Sequence, residues 1–270
     1  MPDLPALDAT VAAPAGASEY YREHGHAVVR GLATAEEVAA YRPLIEQAAA
    51  AHNLERRPLA ERETYGQAFL QTHNLWRTDE RVARFVLAPR FGRVAAELMG
   101  VPGVRLYHDQ SLFKEPGGGR TPWHQDQFYW PFATSETITM WMPLVDLPDE
   151  VGSMYFAAGS HRIGHVSGES ISDASDREIT ALIAERGLAV ETHGALRAGD
   201  ATFHSGWTLH SAAPNPTDGM RAVMTVIYVA DGMVVAPPAN PFQELDRRLW
   251  LADTPPGAPV DSELNPLVWP

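Results

Sequence analysis

Residues 121–132 read TPWHQDQFYWPF: a histidine and an aspartate two apart, then four aromatic residues within five positions. Three readings fit His124 and Asp126: a turn, half of a hydrolytic triad, or two ligands of a metal ion. Along a strand, residues two apart project from one face, with a rise of roughly 3.3 Å per residue. An imidazole nitrogen and a carboxylate oxygen would then aim at one point, with Gln125 turned away. That suits a divalent ion. The spacing alone is common, so the case rests on what lies around it.

Two histidines downstream, in GDATFHSGWTLHSAAPNPTDGMR, could complete such a site: His204 and His210. Six strand residues would hold them roughly 20 Å apart, so one ion cannot easily use both. Arg221 favours His210. It follows eleven positions later and opens the strand-like run RAVMTVIYV, from which a guanidinium could grip a carboxylate bidentately. Two histidines and one carboxylate with open positions are the donor set of non-haem Fe(II) oxygenases. His204 is left as a nearby polar or core residue.

The rest of the chain gives the frame. Helical patterning comes first: TAEEVAAYRPLIEQAAAAH opens with Thr34 and Glu37 at capping-box spacing, and Pro43 should kink or split it. TDERVARFVLA and PRFGRVAAELMG follow, the second opened by Pro89 and closed by Gly100. From Val104 the period changes to short β-type runs set apart by Gly, Pro and Asp. One more helix is expected at about 175–186, capped by Ser175 and Glu178. The order predicts an α+β chain whose second half is an antiparallel barrel or jelly roll, one domain over 1–270. Residues 1–17 read as a flexible lead-in, and 252–270 as an irregular Pro-rich tail. EPGGGRT lacks the Lys-Ser/Thr ending of a phosphate-binding loop and reads as a turn.

Composition narrows the function. A net charge of -13 argues against nucleic acid or an anionic membrane surface as partner. Cysteine is absent, which excludes disulfides and thiolate metal sites. No apolar run is long enough for a membrane span, and the N-terminus lacks the features of a secretory signal, so a cytoplasmic protein is expected. A single lysine, Lys114, stands among the 21 basic residues.

WHQDQ, TMWMPL, GSMYFAAGSHRIGH, GDATFHSGWTLHSAAPN and MRAV, in this order, resemble the phytanoyl-CoA dioxygenase family of Fe(II)/2-oxoglutarate oxygenases, over roughly residues 18–231. The opening EYYREHGHAVVRGLATAEEV is similar as well. The resemblance implies a double-stranded β-helix with helices packed outside. It implies that His124, Asp126 and His210 hold Fe(II) and that Arg221 pairs with the distal carboxylate of 2-oxoglutarate. Trp141, Gln110, Thr121 and Lys114 correspond to positions around the same cosubstrate. The family commonly has HGS after the distal histidine; here the run is HSA, and Ser211 is the candidate for the displaced hydroxyl. Family halogenases lack the carboxylate ligand, so Asp126 disfavours halogenation.

The expected reaction couples decarboxylation of 2-oxoglutarate by O₂ to oxidation of a C–H bond. Hydroxylation is the default outcome, with ring closure, epoxidation, desaturation or stereoinversion as other fates. Phe128, Tyr129, Trp130 and Phe132 either wall a dry substrate pocket or belong to the core. The irregular stretch 160–176 is a candidate lid, with His161, Arg162 and His165 as possible substrate contacts. A small hydrophobic natural product suits the chain better than an acyl-CoA, given its acidic charge. Two rivals stay open: a non-catalytic jelly-roll binding protein with a vestigial metal site, and a cupin-type isomerase or hydrolase. The oligomeric state is not legible.

Overall fold

A computed structural model describes residues 3–148, 151, 153–168 and 170–270. Seven α-helices are described: α1 Ala17–His24, α2 Ala35–His52, α3 Thr64–Ala68, α4 Glu80–Val86, α5 Pro89–Met99, α6 Asp173–Arg186 and α7 Pro241–Trp250. The strands are β1 His26–Val29, β2 Leu70–His73, β3 Val104–Phe113, β4 Thr121–His124, β5 Thr137–Pro143, β6 Met154–Ala157, β7 Val190–Thr192, β8 Ala201–Ser205, β9 His210–Ala212, β10 Val223–Ala230 and β11 Leu267–Trp269.

All pairings between these strands are antiparallel. The larger sheet runs β1-β8-β5-β10-β3-β11, with β2 also on β3; the smaller runs β4-β9-β6-β7. β5 and β10 are buried along their whole length, because helices cover one face of the large sheet and the small sheet serves the other. Such strands lose the in-out alternation of a half-solvated sheet and read as continuous apolar runs. Val82, Phe85, Phe91, Val94 and Leu98 of α4 and α5 share one buried cluster with Met140, Met142, Met224, Val226 and Tyr228 of β5 and β10.

Three expectations need correction, and the tail, irregular up to residue 266 as expected, is nevertheless anchored. The lead-in is packed: Leu7 is buried, the Tyr41 hydroxyl donates to Pro5 O at 2.8 Å, and Arg90 Nε donates to Asp8 O at 3.0 Å. α2 runs unbroken through Pro43, since buried Val38, Tyr41, Ile45, Ala48 and Ala49 anchor both of its halves. α6 starts earlier than expected: Ser172 is its cap and Ser175, not Glu178, completes the reciprocal pair. The Pro-rich tail is fastened, ending in β11 on β3, while buried Asn265 donates to the carbonyls of Leu106, Tyr107 and Trp250. No described helix is long and apolar enough to cross a membrane.

Candidate metal centre and adjoining cavity

The smaller sheet places two histidines side by side. His124 ends β4, His210 begins β9, and the two are register partners. Their rings lie 4.1 Å apart. Each ring is fixed by the backbone carbonyl two residues before it. His124 Nδ1 donates to Pro122 O at 2.8 Å, and His210 Nδ1 donates to Thr208 O at 2.9 Å. A carbonyl only accepts, so both protons sit on Nδ1 and both Nε2 lone pairs are left for an ion. Burial, aided by the neighbouring imidazole, pushes each histidine down to about 4, so both are neutral at physiological pH.

Asp126 completes the cluster from a different element than expected. β4 stops at His124, and Asp126 opens a short 3-10 turn, Asp126–Tyr129. The turn swings its Oδ1 to 3.6 Å from His124 Nε2 and 3.7 Å from His210 Nε2. Bonds of about 2.1 Å to one ion would bring such atoms to roughly 3 Å, a small further closure. The three donor atoms lie within 4.8 Å of one another. Burial by itself would raise the Asp126 carboxyl, but His210, His204 and His124 outweigh it and hold the group well below the usual carboxylate range. The site is therefore one carboxylate and two neutral imidazoles, a set that fits a divalent transition metal.

His204 is the nearby buried polar residue expected, but it is not held roughly 20 Å from His210. The chain does not run straight from His204 to His210. After β8 it turns back at Gly206, where an added Cβ would lie 2.5 Å from both Gln127 Oε1 and Thr137 Oγ1. The turn moves the chain from the large sheet to the small one and leaves the two rings 4.2 Å apart. His204 Nε2 lies 3.2 Å from Asp126 Oδ2, the oxygen that also accepts from Thr139 Oγ1 at 3.1 Å. Oδ2 is thus held by the large sheet while Oδ1 faces the histidine pair.

The cluster opens into a cavity of about 380 Å³ between the two sheets. Arg221, Trp141, Thr121, Ser211 and Gln110 are on its wall. The Arg221 guanidinium is buried and lies 5.4 Å from the Trp141 ring centre. Burial lowers it to about 9, still a cation at neutral pH. Another part of the wall is aromatic: Tyr129, Trp130, Phe242 and Trp250, with Ile171 and Asp246. Burial raises the Asp246 carboxyl to about 7, and its Oδ2 accepts from the Tyr107 hydroxyl at 2.9 Å.

A family model described as Phytanoyl-CoA dioxygenase (PhyH) matches residues 21–223, which include His124, Asp126, His210 and Arg221. The chain belongs to the phytanoyl-CoA dioxygenase family. The carbocyclase SnoK from nogalamycin biosynthesis, described as non-heme and alpha ketoglutarate dependent, is 25% identical with a TM-score of 0.76, covering 94% of this chain and 96% of SnoK. The epimerase SnoN, solved with Fe3+, alpha ketoglutarate and nogalamycin RO, is 28% identical with a TM-score of 0.77, covering 93% of this chain and 97% of SnoN. A protein of Stutzerimonas stutzeri named "Probable alpha-ketoglutarate-dependent hypophosphite dioxygenase" is 27% identical over 131 residues, 47% of this chain. The match spans 46% of that curated relative, about half its length.

Within this family frame, some of the expected residues fall elsewhere. Among the described residues, the cavity wall omits Lys114, Phe128, His161 and Arg162. Lys114 lies behind Thr121, with Nζ donating to Gly119 O and, at 3.4 Å, to Thr121 Oγ1. It follows the end of β3 and pairs with Arg221 across an isolated bridge, in the register that joins Ser111 to Met224. Phe128 packs against His165 and Phe242, and its carbonyl accepts from Asn240, the cap of α7, and from Gln243 within it. Phe132 packs against Tyr107 and Trp130 in the core. His161 and Arg162 bond the carbonyls of Arg22 and Glu23 in α1. From the stretch expected as a lid, Ser170 and Ile171 reach the cavity; residue 169 lies outside the described residues.

Sequence reasoning missed other parts of the wall. Phe242, Asp246 and Trp250 stand four apart on α7, so they share one helix face. That spacing was the available signal. His73 and His108 came with none: they meet the Trp250 ring at 4.9 and 5.3 Å only because β2 and β3 pair below α7.

Proposed function

We propose that this protein uses iron and 2-oxoglutarate to oxidise a C–H bond of a small, largely hydrophobic molecule, as a tailoring step in secondary metabolism. His124, His210 and Asp126 are the metal ligands, and Arg221 receives the far carboxylate of 2-oxoglutarate. We take the two facing sheets as the halves of a double-stranded β-helix. The observation that carries the reading is that a neutral-histidine and carboxylate cluster shares one cavity with a buried guanidinium. When bound, iron and 2-oxoglutarate supply the oxidising chemistry, with O₂ consumed and succinate and CO₂ released.

The chain's own residues prepare that chemistry. The Nδ1 hydrogen bonds to Pro122 and Thr208 hold both imidazoles ligand-side inward before any ion arrives. Thr139 and His204 keep Asp126 Oδ2 occupied, so that Oδ1 is the oxygen presented. Arg221 offers a planar pair of donors suited to a carboxylate, with Trp141 beside it limiting its swing. Thr121, Ser211 and Gln110 add polar contacts on the same wall. Tyr129, Trp130, Phe242 and Trp250 exclude water and match an apolar, ring-bearing substrate, while Asp246 gives that surface one polar contact. The nogalamycin compound named in the SnoN complex supports a substrate of this kind.

The test uses anaerobically purified protein given Fe(II), 2-oxoglutarate and O₂, with succinate as readout. Aromatic polyketides should raise succinate release above the uncoupled background, and Asp126→Ala should abolish it. Stimulation by acyl-CoA instead would reject the substrate class. No succinate under any condition, or full activity in Asp126→Ala, would reject the oxygenase assignment.

A further inference from the structure

A second histidine cluster lies where the edges of the two sheets meet. His24 ends α1, His26 begins β1, and Glu191 is in β7. β1 is the terminal strand of the large sheet and β7 the terminal strand of the small one. Both imidazoles converge on one carboxylate oxygen: His24 Nδ1 and His26 Nε2 each lie 3.2 Å from Glu191 Oε2. The three donor atoms lie within 4.8 Å of one another.

The geometry of His26 points to a cation. Its ring is fully buried, sandwiched against Phe156 of β6 at 4.4 Å between ring centres. Nδ1 is hydrogen-bonded to His193 Nε2 at 3.0 Å. Nε2, by contrast, has no hydrogen-bond partner, although the Glu191 oxygen is close. A buried nitrogen held at contact distance from a carboxylate, without the direction of a hydrogen bond, leaves an unmet polar interaction. In the tautomer that carries the His26 proton on Nδ1, the Nε2 lone pair and the carboxylate face each other, and an ion between them resolves the conflict. Tyr20 orders the outer side: its ring stacks on His24 at 4.0 Å and its hydroxyl donates to Glu191 Oε2 at 2.6 Å.

We propose that His24 Nδ1, His26 Nε2 and Glu191 Oε2 form a second divalent-metal site, of the imidazole-rich kind suited to zinc, cobalt, nickel or copper. The ion acts as a clamp between α1 and the edges of both sheets. His193 is a positioning residue that fixes the His26 tautomer. The site is separate from the iron ligands and independent of their assignment.

Zinc titration of the chelator-treated, tag-free full chain by calorimetry tests this. Wild type should take two equivalents and the His124→Ala/Asp126→Ala variant one. Adding His24→Ala or Glu191→Gln to that variant should weaken the remaining site at least about tenfold, since losing even an outer partner of a ligand typically costs about 10–100-fold. His24 is partly exposed, so its replacement avoids the folding risk of changing buried His26, and circular dichroism checks the fold. Zinc should also raise the melting temperature of the His124→Ala/Asp126→Ala variant, and not when His24→Ala is added. A single zinc equivalent in wild type, or an undiminished second site in both His24→Ala and Glu191→Gln, would overturn the proposal.

Discussion

His204→Ala removes one support from Asp126 while leaving the three proposed iron ligands in the chain. Its Nε2 lies 3.2 Å from Asp126 Oδ2, and the ring is almost fully buried. A hydrogen bond to a charged group contributes about 1.5–3 kcal/mol, and 1.4 kcal/mol is a factor of about ten. Thr139 Oγ1 continues to hold Oδ2, so the carboxylate is loosened rather than released. Metal affinity should therefore fall about 10–100-fold, the range typical for partners of ligands. His204→Gln, whose amide can donate to the same oxygen, should recover most of the loss. Anaerobic calorimetry with Fe(II), or with Mn(II) as a redox-stable probe, measures the affinity. Succinate release at saturating iron should recover more than affinity does. If His204→Ala binds Mn(II) within about threefold of wild type, under 1 kcal/mol, the idea that His204 positions the carboxylate fails.

Arg221→Lys keeps the charge but loses the paired donors, so the apparent KM for 2-oxoglutarate should rise about 10–100-fold with a smaller change in kcat. An unchanged KM would move the cosubstrate elsewhere. Trp250→Ala strips about 1.5–3 kcal/mol of aromatic contact from the substrate wall, raising substrate KM roughly 10–100-fold and leaving the 2-oxoglutarate KM alone. An equal rise in both would show that α7 shapes the whole site. Acid should destabilise the metal-free protein. Burial pushes His124, His210, His73 and His193 down to about 4, and His26 and His108 to about 3. Unfolded, these imidazoles take up protons near pH 6.5, so their stabilisation is full above about that pH and drains as pH falls through the folded values. Asp109 and Asp246, raised to about 7 by burial, oppose this by losing stabilisation as pH rises, but are only two against six. The urea midpoint should thus be lower at about pH 5 than at about pH 7.5, and an equal or higher value would contradict the burial of these histidines.

Local chemistry made the elements readable. The Thr34–Glu37 cap, Pro89 and Gly100 around α5, and the apolar runs of β3, β5 and β10 are each set by neighbours a few residues away. The ordered motifs around His124, Asp126, His210 and Arg221 were also legible, because a metal site needs those side-chain types wherever the fold takes them. Tertiary structure decided the rest. The strand-period argument separated His204 from His210, yet the turn at Gly206 folds the two strands into different sheets and brings the rings together. The same kind of change, a strand giving way to a 3-10 turn, aims Asp126. Lys114 drew notice for its rarity, but burial behind Thr121 keeps it off the wall. Residue identity fixes which atoms can bind a cation or an anion. Which of them meet depends on where the chain reverses, and that is settled by packing between segments far apart in sequence.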